Sequence, residues 1–212
     1  MAEPAERRRT LARAGIRMIA DGGMRALTHR AVEAAAGLPS GTASYHFGTR
    51  KDLVRAVLTE IATLSRDRLE QGPPVPAFGS DGRPARTRAE RRTVADQITA
   101  VCATFIVGQL TDYRTTTLAR YALEVEVATE PALAEVLHAG DQFHLLAAGA
   151  CRTLGVPDPQ AAGSHLLAFV DGIVHDHLVG AASLRTEPPD AVAAAAATAI
   201  RAYLLGLTAP QA

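Results

Sequence analysis

The stretch Leu27–Leu53, LTHRAVEAAAGLPSGTASYHFGTRKDL, divides into two short helical segments across a tight turn, followed by a cationic helix start. Thr28 opens the first segment, since its hydroxyl can accept from a free N–H of the first turn. Val32, Ala35 and Ala36 supply an apolar stripe. Gly37 ends it, because glycine reaches the left-handed region at little steric cost, and Gly37-Leu38-Pro39 re-aims the chain. A second helix is expected from about Ser40 to Phe47. Thr42, Ser44, Tyr45 and His46 cover most of its surface. A helix too polar for a core and too short to stand alone points to a contact outside the chain.

Upstream, Leu11, Ala14, Gly15, Met18 and Ile19 recur at helical spacing between Arg7 and Ala20, and Asp21-Gly22-Gly23 stops the pattern. That stripe is expected to pack on the helix pair, with Leu27, Leu38, Phe47 and Leu53 closing a small three-helix core. A fourth helix starts near Thr49 and runs to about Leu69, with Leu53, Val57, Ile61 and Leu64 on one face. The Gly- and Pro-dense stretch 71–89 reads as a flexible loop. Beyond it every segment has helical period: about 90–110, 115–128, 131–154, 159–180 and 189–207. Breaks fall at Thr129-Glu130-Pro131, Gly155-Val156-Pro157 and Pro188-Pro189. Strand signals are absent, so the fold class is all-α.

Residues 27–53 resemble the helix-turn-helix of the TetR family of bacterial transcriptional regulators, and the likeness extends over roughly residues 7 to 60. Leu27-Thr28, Ala36-Gly37-Leu38, Gly41-Thr42 and Tyr45-His46-Phe47-Gly48-Thr49-Arg50-Lys51-Asp52-Leu53 stand where the family has Leu-Thr, Ala-Gly-Val, Gly-Thr and Tyr-x-His-Phe-x-x-Lys-x-x-Leu. Two positions depart. The family's aromatic one turn before the Phe is Ser44 here, with Tyr45 beside it, and its Ser before the recognition helix is Pro39, with Ser40 following. The resemblance implies about nine helices: a DNA-binding domain over 1–52, a connecting helix over 53–70, and, after the loop, a helical effector-binding and dimerisation domain over 90–212.

In the DNA reading, Ser40, Thr42, Ser44 and Tyr45 are the base readers, and Gly41 lets backbone approach the duplex. Arg30 carries a guanidinium suited to guanine O6 and N7, and the resemblance implies a base-contacting arginine there. Thr28, Tyr45 and His46 suit phosphate oxygens, as do the free N–H groups at the start of the fourth helix, where Arg50 and Lys51 add charge. Arg7, Arg8 and Arg9 form either a basic arm or an ordinary solvated terminus. For Tyr45-His46-Phe47 the bland alternative is helix packing.

The formal net charge is zero, but residues 1–65 hold ten Arg and Lys against six Asp and Glu. The basic part is the part with the helix pair. No unbroken run of about eighteen apolar residues is present and the N-terminal MAEPAERRR lacks an apolar h-region, so a cytoplasmic protein without a membrane partner is expected. Cys102 and Cys151 stand alone, as inert buried thiols or as a redox sensor. No cofactor is expected.

One such module contacts few base pairs, so the chain is expected to pair with itself and read a palindromic operator. The dimer stripes are Leu166, Phe169, Val170, Ile173, Val174 and His177 on the penultimate helix and Val192, Ala196, Ala199, Ile200, Tyr203 and Leu204 on the last; the alternative is that they close the chain's own core. A small-molecule effector is expected to meet polar residues on apolar helices: Tyr113, Arg120, Tyr121, Glu124, His144, Asp171 and His175. Arg120 with Glu124, and Asp171 with His175, can instead simply pair. With no tryptophan and few aromatics outside the reading head, the expected effector is aliphatic or polar. His175-Asp176-His177 invites a metal reading, but neighbours on a helix point about 100° apart and cannot converge on one ion. An enzyme built on His144, Asp171, His175 or Cys151 is the rival class; no Gly-rich phosphate loop, nucleophile elbow or HExxH motif supports it. A regulator without an effector is the other alternative. A repressor is expected, since no polymerase-recruiting element is evident.

Overall fold

The computed structural model describes residues 3–71, 83–128, 130–138 and 142–208. Among them are ten α-helices, two 3-10 turns and no strand. The chain divides into two compact units, Met1–Gly72 with Arg114–Gly140 and Pro73–Tyr113 with Asp141–Ala212.

The first unit holds α1 (Pro4–Gly22), α2 (His29–Ala36), α3 (Thr42–His46), α4 (Arg50–Gln71), α6 (Arg114–Val127) and α7 (Pro131–His138). Its core joins Leu11, Ile16 and Ile19 of α1 to Leu27, Val32, Phe47, Leu53, Val57, Leu58 and Ile61, and takes in Leu123, Val127 and Leu133 from α6 and α7. Leu27, Phe47 and Leu53 are fully buried as expected, whereas Leu38 lies half-buried at the rim. Gly15 marks the crossing of α1 with α4. A Cβ placed there stands 2.7 Å from Val57 Cγ2 and 3.1 Å from Leu27 Cδ1. On α2 the buried pair is Val32 and Glu33, and Ala35 is exposed, so the expected apolar stripe is rotated toward a carboxylate. The sequence groups 115–128 with the later helices, yet α6 packs on α1 and α7 on α4.

The second unit holds α5 (Arg88–Leu110), α8 (Gln142–Leu154), α9 (Pro159–Leu178) and α10 (Pro189–Gly206). α5 begins at a capping box: Thr87 Oγ1 accepts from Glu90 N at 3.2 Å and Glu90 Oε2 accepts from Thr87 N at 2.8 Å. α8 lies against α9 and α10 against α5. α8 and α9 approach closely at Gly163, where a Cβ would stand 2.6 Å from the Ala148 backbone nitrogen. The single helix expected over 131–154 is two helices, α7 and α8, with residues 139–141 outside the described residues. Most of the 71–89 loop, residues 72–82, also lies outside them.

α5 and the run Pro159–Leu184 are long and apolar enough to cross a membrane by length and composition. Part of each apolar face is covered within the second unit: Val94, Ile98 and Ile106 on α5 and Leu166, Val170, Val174 and Leu178 on α9 are buried. Cys102 and Cys151 are free thiols, raised by burial to about 12 and about 11, with each other's proximity adding to Cys102. They are protonated at neutral pH and poor nucleophiles.

Candidate nucleic-acid interface

The turn between α2 and α3 is built from local chemistry. Thr28 Oγ1 accepts from Ala31 N at 3.2 Å, which caps α2 and leaves the hydroxyl proton available. Gly37 adopts φ 66°, ψ 29°, and the Leu38 N–H returns to Glu33 O at 3.0 Å. Gly41, at φ 90°, precedes α3, and a Cβ there would meet nothing within 4 Å, so the turn itself requires the glycine. Thr42 Oγ1 donates to Pro39 O at 2.6 Å. Its donor is therefore engaged, which leaves its methyl group and lone pairs.

α3 buries Ala43 and Phe47 and turns the rest outward. Ser40, Ser44 and Tyr45 are exposed, Tyr45 at 85%, with Arg30 and Thr28 exposed on α2. His46 is half-buried, edge-on to Tyr45 at 5.1 Å between ring centroids. Its imidazole titrates below the ordinary 6.5 because burial disfavours the cation and Arg8 and Arg7 repel it.

Three side chains hold α3 from outside, of which Glu33 and His29 are absent from the expected interface and Arg8 is expected only as part of a basic arm. Glu33 Oε1 accepts from Ala43 N at 2.7 Å, Arg8 Nη1 donates to His46 O at 2.6 Å, and His29 Nε2 donates to Phe47 O at 2.8 Å. Arg8 also lies 4.7 Å over the Phe47 ring. Arg13 Nε binds Glu60 Oε1 at 2.6 Å, with Arg9 at 4.0 Å from the same carboxylate. Arg7, Arg8 and Arg9 lie in the first turns of helix α1, with Arg8 and Arg9 engaged by His46 O and Glu60.

The start of α4 also departs from expectation. Asp52 Oδ2 accepts from Thr49 N at 3.0 Å and from Thr49 Oγ1 at 2.8 Å, while Asp52 N donates to Thr49 Oγ1 at 3.2 Å. Two of the N–H groups expected to be free for phosphate are satisfied by this reciprocal cap. The Thr49 hydroxyl, and then its backbone N–H, hold the Asp52 carboxyl below its usual range. Arg50 Nη1 pairs with Glu126 Oε1 at 3.0 Å and its Nη2 donates to Met24 O at 2.9 Å; Lys51 Nζ pairs with Glu130 Oε2 at 2.6 Å. Exposed pairs of this kind contribute little, so a phosphate can compete for either cation.

Of the effector candidates, Arg120, Tyr121 and Glu124 form one cluster on α6, the guanidinium bonded to Glu124 and 4.4 Å over the Tyr121 ring. Tyr113, His144, Asp171 and His175 belong to the second unit, with His144 and His175 exposed. His177 Nδ1 donates to Ile173 O at 2.9 Å and Asp176 Oδ1 accepts from Ala182 N at 3.4 Å, so these neighbours are turned to different partners. Among the described residues no three His, Cys, Asp or Glu side chains are grouped to hold a metal ion.

Of the dimer stripes, Leu166, Val170, Val174, Val192, Ala196, Ile200 and Leu204 are buried within the chain itself. Phe169 and Ala199 are exposed, and Ile173, His177 and Tyr203 are half-buried. The stripes therefore serve chiefly as the chain's own core, and the surface of α9 and α10 is the adjacent face.

A short polar helix set on a buried Ala–Phe pair, one turn after a capped partner helix, is the helix-turn-helix of a DNA-binding regulator. Residues 11–57 match the bacterial regulatory proteins of the tetR family, and residues 92–206 match the tetracyclin-repressor-like C-terminal domain. The chain belongs to the TetR family of transcriptional regulators. No curated protein matches it. Among solved structures, a transcriptional regulator from Rhodococcus sp. Rha1 is similar at TM-score 0.70 and 22% identity over 97% of each chain. A TetR family member from Streptomyces coelicolor A3 is similar at TM-score 0.64 and 23% identity, covering 93% of this chain and 98% of that one. The multidrug binding protein EbrR, complexed with ethidium, is similar at TM-score 0.62 and 24% identity over 93% and 98%.

Proposed function

We propose that this chain is a cytoplasmic homodimer that binds a palindromic operator, represses the adjacent genes, and is released by a small-molecule effector. The observation that carries the reading is the outward face of α3: Ser40, Ser44 and the almost fully exposed Tyr45, beside Arg30 on α2, over a core that has no use for them. Thr28, His46, Arg50 and Lys51 flank that face with donors for phosphate. Gly41 and Thr42 supply the turn and a methyl group for thymine contact.

The pairing surface is the outer face of α9 and α10, where Phe169, Ile173 and Ala199 lie among the small exposed residues Gly172, Ala195 and Ala202. Small side chains allow close helix approach, as a four-helix bundle between two copies requires. The effector reading draws support from the ligand complexes of EbrR; its candidate contacts are the half-buried Arg120 and Glu124 with buried Tyr121 in the first unit and, taken separately, the half-buried Tyr113 and Asp171 in the second.

The test is titration of purified protein onto labelled genomic fragments across a salt series. Selective, salt-weakened binding is expected, and Arg30→Ala should lower operator affinity by about ten- to hundredfold, the worth of one bidentate base contact. Equal, salt-insensitive binding to all fragments rejects the function; an enzymatic role would leave any activity indifferent to Arg30 and His46 substitutions. Addition of the correct effector should release the fragment.

His46 makes the binding pH-dependent. A phosphate favours imidazolium, so DNA raises a pKa that the free protein holds below 6.5, and the complex takes up a proton. Affinity should rise as pH is lowered toward and through 6.5, with log K gaining up to about one per pH unit, and level off once the free protein is itself protonated. In His46→Gln that component should vanish. A wild-type profile unchanged by the substitution rejects the phosphate role.

A further inference from the structure

α3 spans five residues, too few to be stable by itself, and its apolar anchorage is Ala43 and Phe47. Its backbone is bonded at each end by a charged side chain from another helix. At the amino end Glu33, only 4% exposed, accepts from Ala43 N at 2.7 Å. At the carboxyl end Arg8, on α1, donates to His46 O at 2.6 Å while its guanidinium covers the Phe47 ring. The order, anion at the amino end and cation at the carboxyl end, suits the charge left by unpaired N–H and C=O groups at helix ends. A carboxylate is disfavoured in a protein interior unless it is bonded, and Glu33 sits where α2 otherwise turns Val32 inward. Its bond to α3 is what compensates that burial.

We propose that Glu33 and Arg8 are positioning residues that set the pitch and depth of the DNA-reading helix, with Arg8 committed to α3 rather than to phosphate. The inference rests on the DNA-binding function proposed above. It places the control of specificity in two side chains that touch no base. A helix free to tilt about Ala43 and Phe47 leaves the flanking cations Arg50 and Lys51 in place for phosphate, but presents Ser44 and Tyr45 at the wrong angle.

The test uses the full chain, a duplex enriched from a random-sequence library by the wild-type protein, and a scrambled duplex of the same composition, each titrated across a salt series. Arg8→Ala and Glu33→Ala should weaken binding to the enriched duplex by about tenfold or more, the loss of one charge-assisted hydrogen bond. Scrambled-duplex affinity and the salt slope should stay at wild-type values. Glu33→Gln keeps an acceptor for Ala43 N and should bind as wild type. Hydrogen exchange of the Ala43 amide, measured without DNA, should accelerate in Glu33→Ala and stay slow in Glu33→Gln.

If Arg8→Ala weakens both duplexes alike and lowers the salt slope by about 0.9, Arg8 is a phosphate ligand and its half of the proposal is overturned. Full selectivity in Glu33→Ala, or unchanged Ala43 exchange, overturns the other half. Should the wild-type protein enrich no duplex, the DNA-binding function fails, and the exchange result alone decides whether Glu33 holds α3.

Discussion

Replacing Phe47 by alanine is expected to destabilise the first unit by about 3–5 kcal/mol and to erase selective DNA binding with it. Phe47 is fully buried and is the largest side chain in the core shared by α1, α2 and α4. Its loss leaves Ala43 as the apolar anchor of a five-residue helix and removes the ring on which Arg8 rests. A cavity the size of a phenyl ring is only partly refilled by relaxation of a packed core, and total stability of a domain is only about 5–15 kcal/mol. Denaturant unfolding followed by circular dichroism measures the first effect and titration onto the enriched duplex the second. Phe47→Leu, which retains most of the apolar volume, should recover a large part of both. A Phe47→Ala protein within about 1 kcal/mol of wild type and still selective would show that α3 is held by something other than this core.

Gly163→Val is expected to prevent the second unit from folding, and Gly163→Ala to destabilise it by at least the ordinary overpacking penalty of about 1–3 kcal/mol. A Cβ at Gly163 would stand 2.6 Å from Ala148 N, 2.9 Å from Ala147 C and 3.0 Å from Ala148 Cα. These atoms are backbone of α8 and cannot turn aside as a side chain can, so α8 and α9 would have to separate along their shared face. Separation strips packing from Leu166, Val170, Cys151 and Leu154, all buried there or nearby in the same unit. Gly149, on α8, provides the control. A Cβ there meets nothing within 4 Å, so Gly149→Ala should stabilise by up to about 1 kcal/mol through helix propensity. Thermal unfolding of the three variants orders them; a Gly163→Ala midpoint at or above that of wild type contradicts the close crossing.

The two glycines separate what can be read locally from what cannot. Nothing in the spacing around 163 or 149 says which of them faces another helix's backbone, because both sit in alanine- and leucine-rich stretches. Arg50 and Lys51 make the same point at the interface. Their place at a helix start is evident from Thr49 and Asp52, but their carboxylate partners, Glu126 and Glu130, lie 76 and 79 residues away. Arg8 reads as one of three terminal arginines until the carbonyl of His46, 38 residues on, is beside it. Glu33 reads as a helix-surface residue until Ala43 N is found against it.

The amino-acid order by itself determined the all-α class, the turn at Gly37, the cap at Thr28, and the outward chemistry of Ser44 and Tyr45. Those features depend on backbone sterics and side-chain reach within a turn or two, which the local sequence carries completely. Only the tertiary structure decided that α6 and α7 share the core of the first unit, that most of the α9 and α10 stripes close the chain's own interior, and that Glu33, His29 and Arg8 hold the reading helix. Periodicity states that a face is apolar but not what covers it, since hydrophobic burial has no direction and any apolar partner satisfies it. Which partner arrives is set by the packing of the whole unit.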